Sequence, residues 1–212
     1  MKALDLFCGA GGASAGLHRA GFEVVGVDHA PQPSYPYRFI QADALRPPVD
    51  LRDFDLIWAS PPCQAFTAYK RRHGHVGDHP DLIEPTRRML RESGVNYIIE
   101  NVPGAPLEDP VQLCGSSFGL DVRRHRLFET SFPVLVPPCD HSWQTPRFPP
   151  STNRRNLRRT VEVGVYRIPL ETQQRAMGID WMSRGELSQA IPPAYAEHLA
   201  RQLVGREAEG AA

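Results

Sequence analysis

Apolar residues in this chain come in short runs that end on glycines or acids. Ala3-Leu4-Asp5-Leu6-Phe7 predicts a first strand, followed by Gly9, Gly11, Gly12 and Gly16. A helical stretch from Ala13 to Ala20 is stopped by Gly21. Glu23-Val24-Val25-Gly26-Val27-Asp28 reads as a second strand ending in a carboxylate, and Arg38-Phe39-Ile40-Gln41 as a third, near Asp43. Phe54-Asp55-Leu56-Ile57-Trp58-Ala59 is a buried strand that runs into Ser60-Pro61-Pro62-Cys63. Leu82, Ile83, Thr86, Met89 and Leu90 fall at helical spacing over 81–93, and Asn96-Tyr97-Ile98-Ile99-Glu100 is a further strand closed by an acid. Strand–helix alternation of this kind predicts an α/β fold with a doubly wound, mostly parallel sheet.

Beyond about residue 124 the pattern changes. Arg126-Leu127-Phe128-Glu129-Thr130 has strand character, a Pro/Arg-rich stretch runs from Pro133 to Arg159, and helical signals return at 170–178, 183–190 and 193–204. The expected organisation is a catalytic unit over 1–129, a small irregular segment over 130–168, and C-terminal helices over 169–212 that return to the first unit.

Composition alters this picture little. Lys plus Arg equals Asp plus Glu at 24 each, so the net charge does not signal nucleic acid, and a DNA-binding reading must rest on local basic clusters. No signal peptide opens the chain and no apolar run is long enough to span a bilayer, so a cytoplasmic protein with reduced thiols and no membrane partner is expected. Of Cys8, Cys63, Cys114 and Cys139, none forms a C-x-x-C pair. Cys139 and His141, with Cys114, offer three donor atoms at poor spacing, and no metal is expected.

The candidate chemistry gathers at predicted strand ends, where an open α/β sheet holds its ligands. Glycines at the first turn let a ligand approach the backbone, and the helix behind them presents free N–H groups. Asp28, at the end of the second strand, is placed to bind ribose hydroxyls. The turn lacks both G-x-G-x-x-G and a Walker lysine, so a nucleoside without a pyrophosphate suits it better than NAD. S-adenosylmethionine is such a molecule, with Asp43 as a candidate contact to its adenine. The alternative for either acid is a solvated strand end or a helix cap. Cys63 and Glu100 arrive independently at the same edge, and a cysteine after Ser-Pro-Pro on a loop is poorly placed as a core filler.

Asp5-Leu6-Phe7-Cys8-Gly9-Ala10-Gly11-Gly12 resembles the first signature of the DNA (cytosine-5)-methyltransferases. Ser60-Pro61-Pro62-Cys63-Gln64 resembles their nucleophile motif, Glu100-Asn101-Val102 their Glu-Asn-Val motif, and Arg124-His125-Arg126 the end of their Gln-x-Arg-x-Arg motif. Ala190-Ile191-Pro192-Pro193 resembles their last motif, and the order along the chain agrees. Two departures stand out: Val122 where the family usually has Gln, and Ser188-Gln189 where it usually has Gly-Asn.

The resemblance implies a Rossmann-like, S-adenosylmethionine-dependent methyltransferase with a short target-recognition segment. It implies Cys63 as the nucleophile and Glu100, Arg124 and Arg126 as its catalytic company. Phe7, Gly9, Gly11, Gly12, Asp28, Asp43 and Pro61 would lie along the cofactor. The implied reaction is methylation of carbon 5 of a cytosine flipped out of DNA, double-stranded in the leading reading, with restriction-modification, phage self-marking and regulation all open as its setting. Lys70, Arg71 and Arg72 would form a basic loop closing over the base, and Arg154 and Arg155 would touch DNA from the recognition segment. RNA, a free nucleotide or a modified pyrimidine stays open as substrate, as does a non-catalytic nucleic-acid binder. A dehydrogenase would leave Cys63 and Glu100 unexplained.

Overall fold

The computed structural model describes residues 1–62, 81–145 and 158–210. Strand β1 (Lys2–Leu6) leads through the glycine turn into α1 (Gly12–Arg19), then β2 (Glu23–Asp28), β3 (Arg38–Gln41) and β4 (Leu56–Ala59). Helix α2 (Ile83–Ser93) precedes β5 (Asn96–Asn101), β6 (Val111–Leu113) and β7 (Arg126–Thr130). Two short strands, β8 (Gln144–Thr145) and β9 (Arg158–Arg159), form a separate parallel pair. Helices α3 (Leu170–Met177), α4 (Arg184–Gln189) and α5 (Pro193–Gly210) follow.

Seven strands make one sheet in the order β3-β2-β1-β4-β5-β7-β6. The first five run parallel, whereas β7 is antiparallel to both β5 and β6. The expectation of a mostly parallel, doubly wound sheet is met. Strand order reverses between β1 and β4, which opens a crevice beyond their carboxyl ends.

Alternation along the strands sorts the core into two faces. Ala3, Val24, Leu56, Trp58, Ile98 and Phe128 pack with Leu17 of α1 and with Tyr195 and Leu199 of α5. Leu4, Leu6, Val25, Val27, Ile57 and Ile99 pack on the other side with Leu90 of α2. Burying each of these larger side chains contributes roughly 1.5–3 kcal/mol. Met177, Ile179, Met182 and Leu187 from the C-terminal helical region cluster with Ala10 and Val122. Helix α1 can approach α5 only because residue 16 is glycine, since a Cβ there would lie 2.1 Å from the Pro193 carbonyl oxygen. No helix among the described residues is long and apolar enough to cross a membrane.

Two buried charged groups hold elements together. Arg87 of α2 donates through Nε and Nη2 to the Glu129 carboxylate of β7 at 2.8–3.1 Å, with both residues almost fully buried. This pair clamps the antiparallel strand against the helix on the second face. Asp5, on the first face, is wholly buried and accepts from the Ser14 hydroxyl at 2.5 Å. Its other oxygen has no hydrogen-bond partner among the described residues.

Burial pushes the Asp5 carboxyl up from 3.8 to about 7. The folded chain therefore holds this proton where the unfolded chain has lost it. The associated stability is complete below the unfolded value and disappears as pH rises through the folded one, at up to about 1.4 kcal/mol per pH unit. Thermal melts between pH 4 and 8 should show the wild type losing stability across the window from about 4 to about 7. In Asp5→Asn, which mimics the protonated acid, that slope should flatten. An unchanged slope in the variant would mean that Asp5 does not titrate as described.

Candidate active site

Register alone brings Ser60, Glu100 and Arg126 to one face. Trp58 of β4 lies opposite Asp5 of β1 and Ile98 of β5. Two residues further along, Ser60 and Glu100 emerge on that same face at the carboxyl end of the sheet. In the antiparallel pair, Glu100 lies opposite Phe128, so Arg126 is its diagonal neighbour on the shared face. The side chains meet accordingly: Arg126 Nε is 3.0 Å from Glu100 Oε1. The Ser60 hydroxyl also hydrogen-bonds the Glu100 carboxyl, and it accepts from Trp58 Nε1 at 2.9 Å.

Glu100 is only 7% exposed. Burial pushes its pKa up, and the opposing pull of Arg126, Ser60 and Arg124 leaves it still above the ordinary carboxylate value. Desolvation thus outweighs the pull of the ion pair and shifts the balance toward the acid form.

The next residue fixes the loop toward the predicted nucleophile. Asn101 is buried, and its Nδ2 donates to the Pro61 carbonyl at 2.9 Å. The end of β5 is therefore tied to the Ser60-Pro61-Pro62 segment that leads to Cys63. Cys63 itself lies outside the described residues, as do Lys70, Arg71, Arg72, Arg154 and Arg155.

Arg124 has a different role from Arg126. Its backbone is left-handed, with φ of 41°, a strained conformation for a non-glycine residue. Its guanidinium donates from Nε to the Ala190 carbonyl at 2.6 Å and from Nη2 to the Ser188 carbonyl at 2.7 Å. Tyr195 adds hydroxyl bonds to the carbonyls of Arg123 and Arg124 at 3.1 and 3.0 Å. Arg124 thus joins the arginine segment to the Ala190-Ile191 segment and positions Arg126. Val122 is buried in the apolar cluster with Met177 and Leu187, so the departure at 122 replaces a polar support with core packing.

At the other end of the crevice the glycine turn faces Asp28. Gly9 N–H donates to Asp28 Oδ2 and Ala30 N–H to Oδ1, each at 3.0 Å. Gly9 and Gly11 are both left-handed, at φ of 49° and 87°, which a side chain would resist. Phe7, at φ of 58°, enters the same turn. The exposed His29 Nδ1 also lies 3.1 Å from Oδ1, whereas Oδ2 keeps a second lone pair that can still accept from a ribose hydroxyl. Gly12 serves packing: a Cβ there would lie 2.6 Å from the Ile191 carbonyl oxygen. Asp43 is exposed and accepts from the Leu45 N–H at 2.9 Å, capping its own turn.

Sequence reasoning missed four groups here. The Tyr35 ring lies over Gly11, and its hydroxyl is 2.7 Å from the Ser14 oxygen. Trp181 Nε1 donates to the Ala10 carbonyl at 2.9 Å, stitching the C-terminal helices to the turn. Asn101 and Tyr195 act through the loops they hold. Only Asn101 carried a signal, as the middle residue of the Glu-Asn-Val motif.

Known proteins resemble this chain in sequence and in fold. The family model described as C-5 cytosine-specific DNA methylase matches residues 1–109, just over half of the chain. The type II methyltransferase M.HgiDI of Herpetosiphon aurantiacus is 29% identical over 131 residues, covering 56% of this chain and 42% of that protein. The chain therefore spans less than half the length of that relative. M.HgiGI, a type II methyltransferase of the same organism, is 30% identical over 119 residues, covering 50% of this chain and 94% of that protein. Among solved structures, the Dnmt2 methyltransferase of S. pombe superposes with a TM-score of 0.58 at 15% identity, over 98% of this chain and 99% of its own. That likeness carries the fold alone. With the glycine turn facing Asp28 and the Glu100–Arg126 pair beside the Ser-Pro-Pro loop, the family match identifies this chain as a member of the C-5 cytosine-specific DNA methylases.

Proposed function

We propose that the chain transfers a methyl group from S-adenosylmethionine to carbon 5 of cytosine in double-stranded DNA, with Cys63 as nucleophile. The observation that carries this reading is the buried Glu100–Arg126 pair, set beside the loop that leads to Cys63.

Cys63 as thiolate would add to carbon 6 of the ring, which turns carbon 5 into an enamine-like nucleophile. Glu100, whose pKa burial raises, donates toward ring nitrogen 3 and withdraws the charge that builds up during addition. Arg126 holds the ring oxygen and stabilises the same charge. S-adenosylmethionine, when bound, supplies the electrophilic methyl group for carbon 5. Loss of the carbon 5 proton then lets the thiolate leave; an ordered water can take that proton.

The residues at the turn fit this cofactor. Asp28 accepts from a ribose hydroxyl through Oδ2, while Phe7, Gly9 and Gly11 give the backbone the close approach that it needs. Asp43, already engaged in its own turn, and Gly12, packed on Ile191, contribute less. Pro61, buried and held by Asn101, bounds the space between cofactor and base.

The segment over 130–168 would read the target sequence, with Arg154 and Arg155 on the DNA and Lys70, Arg71 and Arg72 closing over the flipped base. The names of the relatives, type II methyltransferases, favour DNA as substrate and a restriction-modification setting. The protein would work in the cytoplasm, where its thiols stay reduced.

Bisulfite sequencing of DNA from cells expressing the chain should reveal protected cytosines at a short sequence, and Cys63→Ser should abolish them. Folded protein that leaves DNA unmethylated but methylates RNA or a nucleotide would contradict DNA as the substrate. Glu100→Gln, which keeps a donor but loses the transferable proton, should lower the rate of methyl transfer by about 10²–10⁴-fold. Its affinity for target DNA should stay near that of the wild type. A matching loss of DNA binding would place Glu100 in binding rather than in proton donation.

A further inference from the structure

Away from the crevice, the chain gathers two thiols and two imidazoles that the reaction does not use. Cys114 follows β6, His125 immediately precedes β7, and Cys139 and His141 lie on the proline-rich loop beyond β7. One donor atom from each of these four residues lies within 4.8 Å of all the others. His141 Nε2 is 3.2 Å from Cys114 Sγ and 3.0 Å from Cys139 Sγ. His125 Nε2 is 3.4 Å from the same Cys139 sulfur.

We propose that Cys114, His125, Cys139 and His141 form a structural zinc site. Zinc bonds of about 2.3 Å to sulfur and about 2.0–2.1 Å to nitrogen, in a tetrahedron, require ligand atoms about 3.3–3.8 Å apart. The three sulfur–nitrogen separations of 3.0–3.4 Å need a small outward relaxation to reach those edges, and the remaining pairs lie within 4.8 Å. A hydrogen-bond cluster accounts for the arrangement less well. One nitrogen faces two sulfurs and a second nitrogen faces one of them again, yet thiols are weak donors and acceptors.

The chemistry of the set is that of a closed site. Four protein ligands leave no open position, which marks a structural rather than a catalytic ion. Two thiolates neutralise the divalent charge, so the filled site is neutral and is not repelled by the neighbouring Arg123 and Arg126. The Ser116 hydroxyl donates to Cys114 Sγ at 3.2 Å, the kind of outer bond that orients a metal-bound thiolate. The sequence offered three of these ligands at poor spacing. The fourth, His125, sits inside the arginine motif and joins them only because β7 turns back antiparallel beside β6.

The ion would do what the short recognition segment cannot do with a core of its own. It would staple the base of that segment to the β6–β7 edge. It would also fix the backbone between Arg124 and Arg126, where Arg126 Nη1 donates to the His125 carbonyl at 2.9 Å.

The test is elemental analysis of tag-free, full-length protein grown with zinc. One zinc per chain is expected, and Cys139→Ser/His141→Ala should lose it. Ser116→Ala should weaken zinc affinity by about 10–100-fold in competition with a chromogenic chelator. Because the double variant can fail to fold, cobalt added to metal-free wild type gives a second readout. It should produce the visible bands of tetrahedral cobalt together with a sulfur-to-cobalt charge-transfer absorption, and zinc should displace both. The proposal is overturned if the wild type carries well under one zinc per chain and takes up no cobalt in tetrahedral form. A double variant that retains zinc at the wild-type level would overturn it equally.

Discussion

The arrangement of this site depends on one pairing, β7 running antiparallel beside β5. A parallel strand in that place would present its residues in the opposite order and carry Arg126 away from the carboxyl end of the sheet. The observed register sets Arg126 diagonal to Glu100 on one face, at 3.0 Å, and leaves both largely shielded from water. An acid in such a place is caught between two effects of opposite sign. Burial raises its pKa and the guanidinium lowers it, and the net shift is upward. A carboxyl fixed beside a guanidinium is the pair that the proposed cytosine would meet, with its ring nitrogen next to a carbonyl oxygen.

The remaining framework holds that pairing in place from both sides. On one face, Arg87 of α2 anchors Glu129 of β7 in a nearly dry ion pair, which would cost about 3–5 kcal/mol to break by removing one partner. On the other, Arg124 and Tyr195 bind the arginine segment to the C-terminal helices, and Asn101 binds the end of β5 to the Ser-Pro-Pro loop. The left-handed backbone at Arg124 is a local strain that these bonds sustain. The proposed zinc would add a further restraint one residue away, at His125.

Much of the fold was legible because strands buried on both faces must be apolar along their length. Glu23–Asp28, Arg38–Gln41 and Arg126–Thr130 begin and end where the pattern of residues places them. The three residues of β6 were too few to show a period, and β8 and β9 are shorter still. In the site, motif residues could be read by type, but their division of labour could not. That Arg124 serves backbone carbonyls while Arg126 meets Glu100 is a matter of register and φ. Tyr35 over Gly11, and His125 beside Cys139, come from loops whose paths no periodicity encodes.

The central claim is that a sulfur at position 63 bonds to the ring that Glu100 and Arg126 hold. DNA carrying 5-fluorocytosine at the target tests it most directly, because fluorine at carbon 5 cannot leave as a proton and the enzyme stays attached. Digestion of the trapped complex and mapping of the modified peptide should place the nucleotide on Cys63. An adduct on Cys8, Cys114 or Cys139 would contradict the account. So would the absence of any adduct from a preparation that methylates ordinary cytosine.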